Sequence, residues 1–193
     1  MLKKSLLIGF LIIATLHLIY GGIYEDYYYL KEKLTEMKVI GEIIPCSTKY
    51  FANVSWPSGA TATLGNILSP SEVREKPTVV WPYNPKKQYL VLFTDMDDVY
   101  NADPIMKEFQ LWFVYDIPGI DMSKGKEEYQ YILPDFRNKY HRVSVIVMQQ
   151  REQVNMSQSI FGVGARHNWT ALELMYEFGG SLHAANVFVV KPE

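Results

Sequence analysis

Tyr89-Leu90-Val91-Leu92-Phe93-Thr94-Asp95-Met96-Asp97-Asp98 is the stretch on which the reading of the fold turns. Leu90 to Thr94 run without a charge and are rich in apolar and β-branched side chains, the pattern of a strand buried on both faces. The run then delivers Asp95, Asp97 and Asp98 within four positions. A core strand that empties into clustered carboxylates can build a site at a sheet end. The same residues also fit a strand followed by a solvated acidic turn, so the surrounding chain has to decide.

Working outward, strand signals dominate. Phe109–Ile117 alternates, with Leu111, Phe113 and Tyr115 predicted on one face and Trp112 and Val114 on the other. Arg142–Gln149 and Asn186–Val190 are β-branched and buried in type, Tyr129–Leu133 is a short strand before Pro134, and Thr78–Trp81 is another. Tyr50–Trp56 and Ala60–Leu64 flank Pro57-Ser58-Gly59 and predict a hairpin. Helical signals are few. Leu30 and Leu34 lie one turn apart in a stretch that reads as a short amphipathic helix or as an N-terminal arm. Thr170 and Glu173 form a capping box opening a helix with Leu172, Met175 and Tyr176 on its apolar face, ended by Gly179-Gly180. Many short strands with one or two helices predict a mainly β domain, a sandwich or barrel with helical decoration.

Composition narrows the functional classes. The chain is 48% hydrophobic and 14% aromatic, enough for a sizeable core and against disorder. A net charge of −2 with interspersed signs gives no basic surface for nucleic acid. Residues 1–22 read as a signal peptide: Lys3 and Lys4 precede an apolar run from Leu6 to Tyr20, and Gly21-Gly22 are small residues suited to cleavage. A membrane anchor is the rival reading, but the run falls short of a span and contains His17. Residues 23–193 then form a single secreted domain with no stable membrane span. Sequons at Asn53, Asn155 and Asn168 accord with export and a glycoprotein. Cys46 is the only cysteine, so no intrachain disulfide is possible, and the expectation is a buried, inert thiol.

Site signals are sparse. His141 precedes a core strand, His167 lies before the capped helix and His183 follows the glycine break; none shows metal-ligand spacing, and the expectation is no metal and no cofactor. No Gly-x-Ser-x-Gly, P-loop or dinucleotide fingerprint occurs.

At Asp95 the chain resembles the phosphatidylethanolamine-binding protein family. Ser55-Trp56-Pro57-Ser58-Gly59 is similar to that family's Ser-Tyr-Pro-Ser-Gly turn, and Leu64-Gly65-Asn66 with Leu68-Ser69-Pro70 resembles the loop that follows. Lys76-Pro77-Thr78-Val79-Val80-Trp81 resembles the next strand, and Leu92–Asp97 occupies the place of the Leu-Thr-Asp-Pro-Asp-Ala-Pro motif. Tyr140-His141-Arg142 stands where the family has Gly-His-Arg or Leu-His-Arg. The likeness spans roughly residues 38–190, and the order of the motifs makes it specific.

The resemblance implies an antiparallel Greek-key β-sandwich with a few short helices. It also implies a surface pocket for phosphate-like anions around Asp95 and His141, with Phe109, Leu111 and Tyr131 as ligand-contacting wall and Asp97 and Arg142 as structural neighbours. This chain departs from the pattern at several points. Leu111 replaces the second pocket histidine, Met96 and Val99 replace both prolines, Pro134-Asp135-Phe136-Arg137 replaces a glycine-rich wall loop, and Val143 stands for an aromatic. The expected function is a secreted, non-catalytic binding protein for a small anionic, lipid-head-group or hydrophobic ligand. The alternative is an extracellular protease inhibitor or protein-interaction module.

Overall fold

A computed structural model describes residues 26–97, 108–133, 139–154, 166–167, 169–178 and 180–192. In chain order the elements are α1 (26–36), a kinked helical turn α2 (Val39–Glu42), β1 (Tyr50–Phe51), β2 (Asn53–Ser55), β3 (Ile67–Leu68), β4 (Thr78–Val80) and β5 (Gln88–Asp95). There follow β6 (Phe109–Pro118), a 3₁₀ turn (Met122–Lys124), β7 (Lys126–Tyr129), β8 (His141–Gln150), α3 (Ala171–Glu177) and β9 (Ser181–Val190). The molecule is mainly β, as the strand signals predict.

The principal sheet runs β1-β9-β8-β5-β6-β7, with β3 also on β9. The opening stretch is thus an inner strand, flanked by β8 and β6. Its unbroken apolar run follows from cover on both faces. Tyr89, Val91 and Phe93 pack into one core with Val145 and Val147 and with Val54 and Val79 from the separate β2–β4 ribbon. Leu90 and Leu92 point the other way, into a second core with Ile146 and Met148 and with α1 and α3. Leu34 of α1 and Leu174 of α3 are fully buried in that second core. Each such side chain contributes about 1.5–3 kcal/mol by leaving water, so the sheet holds the helices more firmly than their own short backbones could.

Several expectations are corrected. The sheet is mixed rather than antiparallel, because β1 and β3 both pair with β9 in parallel. The chain does reverse at Pro57–Gly59, but the return limb makes a single bridge, Ser55 to Thr61, and β2 finds its ladder partner in β4. The strand predicted over 129–133 lies earlier, at Lys126–Tyr129; beyond it, the Ile132 N–H donates to the Leu111 carbonyl and Ile132 packs against the core. The capping box at Thr170 and Glu173 forms, yet α3 buries Ala171 and Leu174 and leaves Leu172 and Tyr176 exposed. A seven-residue helix has too few turns for its apolar residues to fix which side docks, and the anchoring of its first turn decides instead. Cys46 is exposed, contrary to the expected burial, since it follows Pro45 in the turn region after α2 and not a strand.

The face assignment of β6 also changes. Phe93 pairs with Trp112 and Thr94 with Gln110, so Leu111 is the extra residue of a β-bulge. The bulge rotates Leu111 into the core shared by Trp112 and Val114, while Phe113 and Tyr115 stay on the helical side. A strict two-residue period cannot register one inserted residue. The signal-peptide stretch, the sequons at Asn155 and Asn168, the acid Asp98, Val99 and the loop Pro134–Arg137 lie outside the described residues. Asn53 sits in β2 with its side chain exposed. Among the described residues no helix is long and apolar enough to cross a membrane.

Candidate functional site

Asp95 ends β5 and His141 begins β8, on adjacent antiparallel strands in which Asp95 pairs with Val143. Alternation places both on the face of Phe93 and Val145. His141 Nδ1 meets Asp95 Oδ2 at 2.7 Å, and the two side chains are buried. The contact holds the His141 ring in one orientation.

The other oxygen, Asp95 Oδ1, accepts the Asp97 backbone N–H at 2.9 Å, a side-chain-closed turn. Asp97 then accepts three hydrogen bonds from Arg142: backbone N–H at 2.9 Å and Nε at 2.9 Å on Oδ2, and Nη2 at 2.8 Å on Oδ1. This forked pairing has the geometry that makes arginine–carboxylate bonds strong. Burial pushes the Asp97 carboxyl up, but the Arg142 hydrogen bonds and charge outweigh it and hold the group below the usual carboxylate range. Arg142 Nη1 also donates to the Met37 carbonyl at 3.0 Å, tying the site to the end of α1. With no proline at Met96, the start of this turn is held by these side chains and by the Met96 N–H, which donates to the Arg142 carbonyl at 2.9 Å.

The three wall residues reach the same face. Phe109 stands opposite Asp95 in the ladder, half-buried, with its ring 4.5 Å from that of His167. Leu111 arrives there through the bulge and is buried. Tyr131 packs edge-on against Phe93 and Trp112 at 6.1 and 5.8 Å. Its hydroxyl donates to the Val73 carbonyl at 2.7 Å and accepts the Trp56 indole N–H at 3.3 Å. Burial pushes the Tyr131 phenol up to about 12, with the indole hydrogen bond acting in the opposite direction. The phenol is therefore neutral, and its proton is engaged by Val73.

Sequence reasoning passed over three neighbours. Arg166 donates from Nη1 to the carbonyls of Gln110 (2.8 Å) and Leu111 (3.1 Å) and from Nη2 to that of Gln130 (2.9 Å), so one guanidinium staples the bulge to the segment carrying Tyr131. Gln110, on the opposite face, accepts from Thr94 Oγ1 at 2.8 Å and donates to the Trp169 carbonyl at 3.1 Å. Glu108 is buried beside it and accepts the Ala171 backbone N–H at 2.8 Å. Burial pushes Glu108 up to about 7, against the pull of the Ala171 and Gln110 hydrogen bonds and with help from the nearby Glu173 charge. These partners are separated by tens of residues in sequence, and only a polar residue inside an apolar strand, Gln110, offered a local sign. Among the described residues no group of three His, Cys, Asp or Glu side chains could hold a metal ion.

The fold is a mixed, largely antiparallel sheet with a buried aspartate–histidine pair at the joint of two inner strands. Comparison identifies it: the chain belongs to the phosphatidylethanolamine-binding protein family. It is 30% identical over 128 residues to the tobacco CEN-like protein 4, covering 63% of this chain and 73% of the relative. It is 24% identical over 162 residues to a putative odorant-binding protein A5 of Drosophila melanogaster, covering 80% and 77%. Among solved structures, a carboxypeptidase Y inhibitor in complex with its proteinase superposes with a TM-score of 0.72 at 16% identity, covering 87% of this chain and 98% of the inhibitor. A phosphatidylethanolamine-binding protein from Plasmodium vivax gives 0.66 at 18% identity, covering 84% and 97%. No family model matches the sequence.

Proposed function

We propose that this protein is a secreted, non-catalytic binding protein whose site is Asp95 and His141, walled by Phe109, Leu111 and Tyr131. The observation that carries this reading is the buried contact of 2.7 Å between Asp95 and His141. It fixes the imidazole at a sheet end, where a ring held in one orientation can contribute to a small-ligand site. Family membership supports a binding role. Support for export comes from the sequence of residues 1–22 and from the sequons at Asn53, Asn155 and Asn168.

The wall is more apolar than the family's pattern. Leu111 replaces an imidazole, and a hydrogen bond to a charged group is worth about 1.5–3 kcal/mol, so anion affinity falls by about tenfold or more. The site therefore favours a ligand with a small polar head and an apolar remainder over free phosphate. A thermal-unfolding titration with inorganic phosphate, phosphoethanolamine and a short-chain phosphatidylethanolamine tests this. A ligand at 100 times its dissociation constant stabilises by about 2.7 kcal/mol. The lipid should stabilise the wild type most, and His141→Gln, which keeps the ring's volume approximately, should lose the effect. Absence of stabilisation by all three sinks the reading.

A second reading, inhibition of an extracellular protease, is favoured by the carboxypeptidase Y inhibitor among the structural neighbours. The polar stretch from Met122 to Glu128 is the described contact candidate; the loops 101–104 and 134–139 fall wholly or mostly outside the described residues. Unchanged activity of serine carboxypeptidases and endopeptidases at saturating protein removes it.

A further inference from the structure

A cleft of about 850 Å³ opens between α1 and the sheet edge at β1, on elements other than those that carry Asp95 and His141. Its volume is that of a small-molecule site. Tyr27, Tyr29 and Leu30 of α1 form one wall, and Tyr50, Phe51 and Leu64 form the other. Tyr29 is 54% exposed although its ring lines an apolar hollow. An aromatic left wet beside apolar neighbours is surface that a ligand would cover.

The wall is built rather than incidental. Leu64 holds a left-handed backbone, φ 54°, which a branched side chain adopts only under constraint. The constraint is Asn186, fully buried in β9. Its Oδ1 accepts the Leu64 N–H at 3.1 Å, and its Nδ2 donates to the carbonyls of Ala52 (2.8 Å) and Ala62 (3.1 Å). One amide therefore fixes the spacing between the segment after β1 and the segment that presents Leu64. At the rim, the Lys49 ammonium lies 5.0 Å over the Tyr50 ring, so a cation is held against the aromatic lining.

We propose that this cleft is a second ligand site that takes a single-chain amphiphile with an anionic head. The apolar body lies between α1 and β1, and the head pairs with Lys49. Charge complementarity to Lys49, the one cation among the described lining residues, selects this occupant; Asp26, Thr63 and the hydroxyls of Tyr27, Tyr29 and Tyr50 are the other polar groups there. Asp26, the acid of the lining, makes a cationic amphiphile the competitor that the experiment must separate.

Laurate, dodecanol and dodecylamine, each below its micellar concentration, are titrated into the purified protein by calorimetry, with backbone-amide NMR to locate the contact. Laurate should bind most tightly and shift the amides of Tyr29, Phe51 and Leu64. Lys49→Glu should weaken laurate by about tenfold, since a rim attraction becomes a repulsion of similar size, and leave dodecanol within about twofold. Tyr29→Ala, at an exposed helical position that tolerates alanine, should weaken both. Tighter binding of dodecylamine, laurate binding that neither variant changes, shifts confined to the neighbourhood of His141, or no binding of any probe each overturns the proposal.

Discussion

At the scale of single residues, the site depends on how the acids after β5 divide their work. Asp95 serves His141, while Asp97 serves Arg142, and the two are coupled through the Asp97 N–H donated to Asp95. The fork on Asp97 needs a planar donor. Arg142→Lys keeps the charge but cannot make Nε and Nη2 bonds together, and it abandons the Met37 carbonyl. A loss of about 1–3 kcal/mol in urea-monitored unfolding is expected. A second consequence follows in the binding titration, because a loosened Asp97 no longer fixes the carboxylate that orients His141. Wild-type stability in this variant would show that the fork is only a surface pair. Asp97 also sets an acid limit: its folded-state carboxyl lies below the usual range, so its contribution is present above that range and is lost only as pH falls below it.

At the scale of elements, α3 shows how a short helix is held. Thr170 Oγ1 accepts the Glu173 N–H at 3.2 Å, and a Glu173 carboxylate oxygen accepts the Thr170 N–H at 2.8 Å. The next free N–H, that of Ala171, goes to buried Glu108 at the start of β6. The helix is thereby pinned by its first turn, which is why Ala171 and Leu174 face the core while Leu172 and Tyr176 stay exposed. Thr170→Ala removes the cap and should cost about 1 kcal/mol of unfolding free energy. A loss of no more than about 0.3 kcal/mol would mean that Glu108 alone holds the helix. The bulge at Leu111 is the other element-scale device. It is braced from outside the strand by Arg166, 55 residues away, and it alone decides that an apolar side chain stands in the wall of the candidate site.

At the scale of the whole molecule, Glu108 links global stability to pH. Its carboxyl ordinarily titrates at 4.5 and in the folded protein is pushed up to about 7. Between these values the native state holds the proton and the unfolded chain does not, so stability falls as pH rises across the interval and levels off above about 7. The total is at most about 3 kcal/mol. Denaturant unfolding at a series of pH values should show the decline in the wild type. Glu108→Gln, which keeps the shape and a hydrogen-bonding oxygen for Ala171, should flatten it and be the more stable form at pH 8. An unaltered slope in that variant would place the titrating group elsewhere.

Much of the scaffold was legible in the sequence because burial leaves a periodic mark. The unbroken run at Leu90–Thr94 specified an inner strand, Leu30 and Leu34 pointed to a short helix without excluding an extended arm, and Thr170 with Glu173 specified a helix start. The ordered motifs from Ser55 to Arg142 specified the family. Tertiary structure decided what no local pattern records. It made β1 and β3 parallel partners of β9, rotated Leu111 by one inserted residue, exposed Cys46, and chose the buried side of α3. It also brought His141 to Asp95 across 46 positions and drew Arg166, Glu108 and Asn186 into their hydrogen bonds. Propensity and periodicity are properties of neighbours in sequence, whereas a buried polar group is placed by whichever distant donor or acceptor can satisfy it.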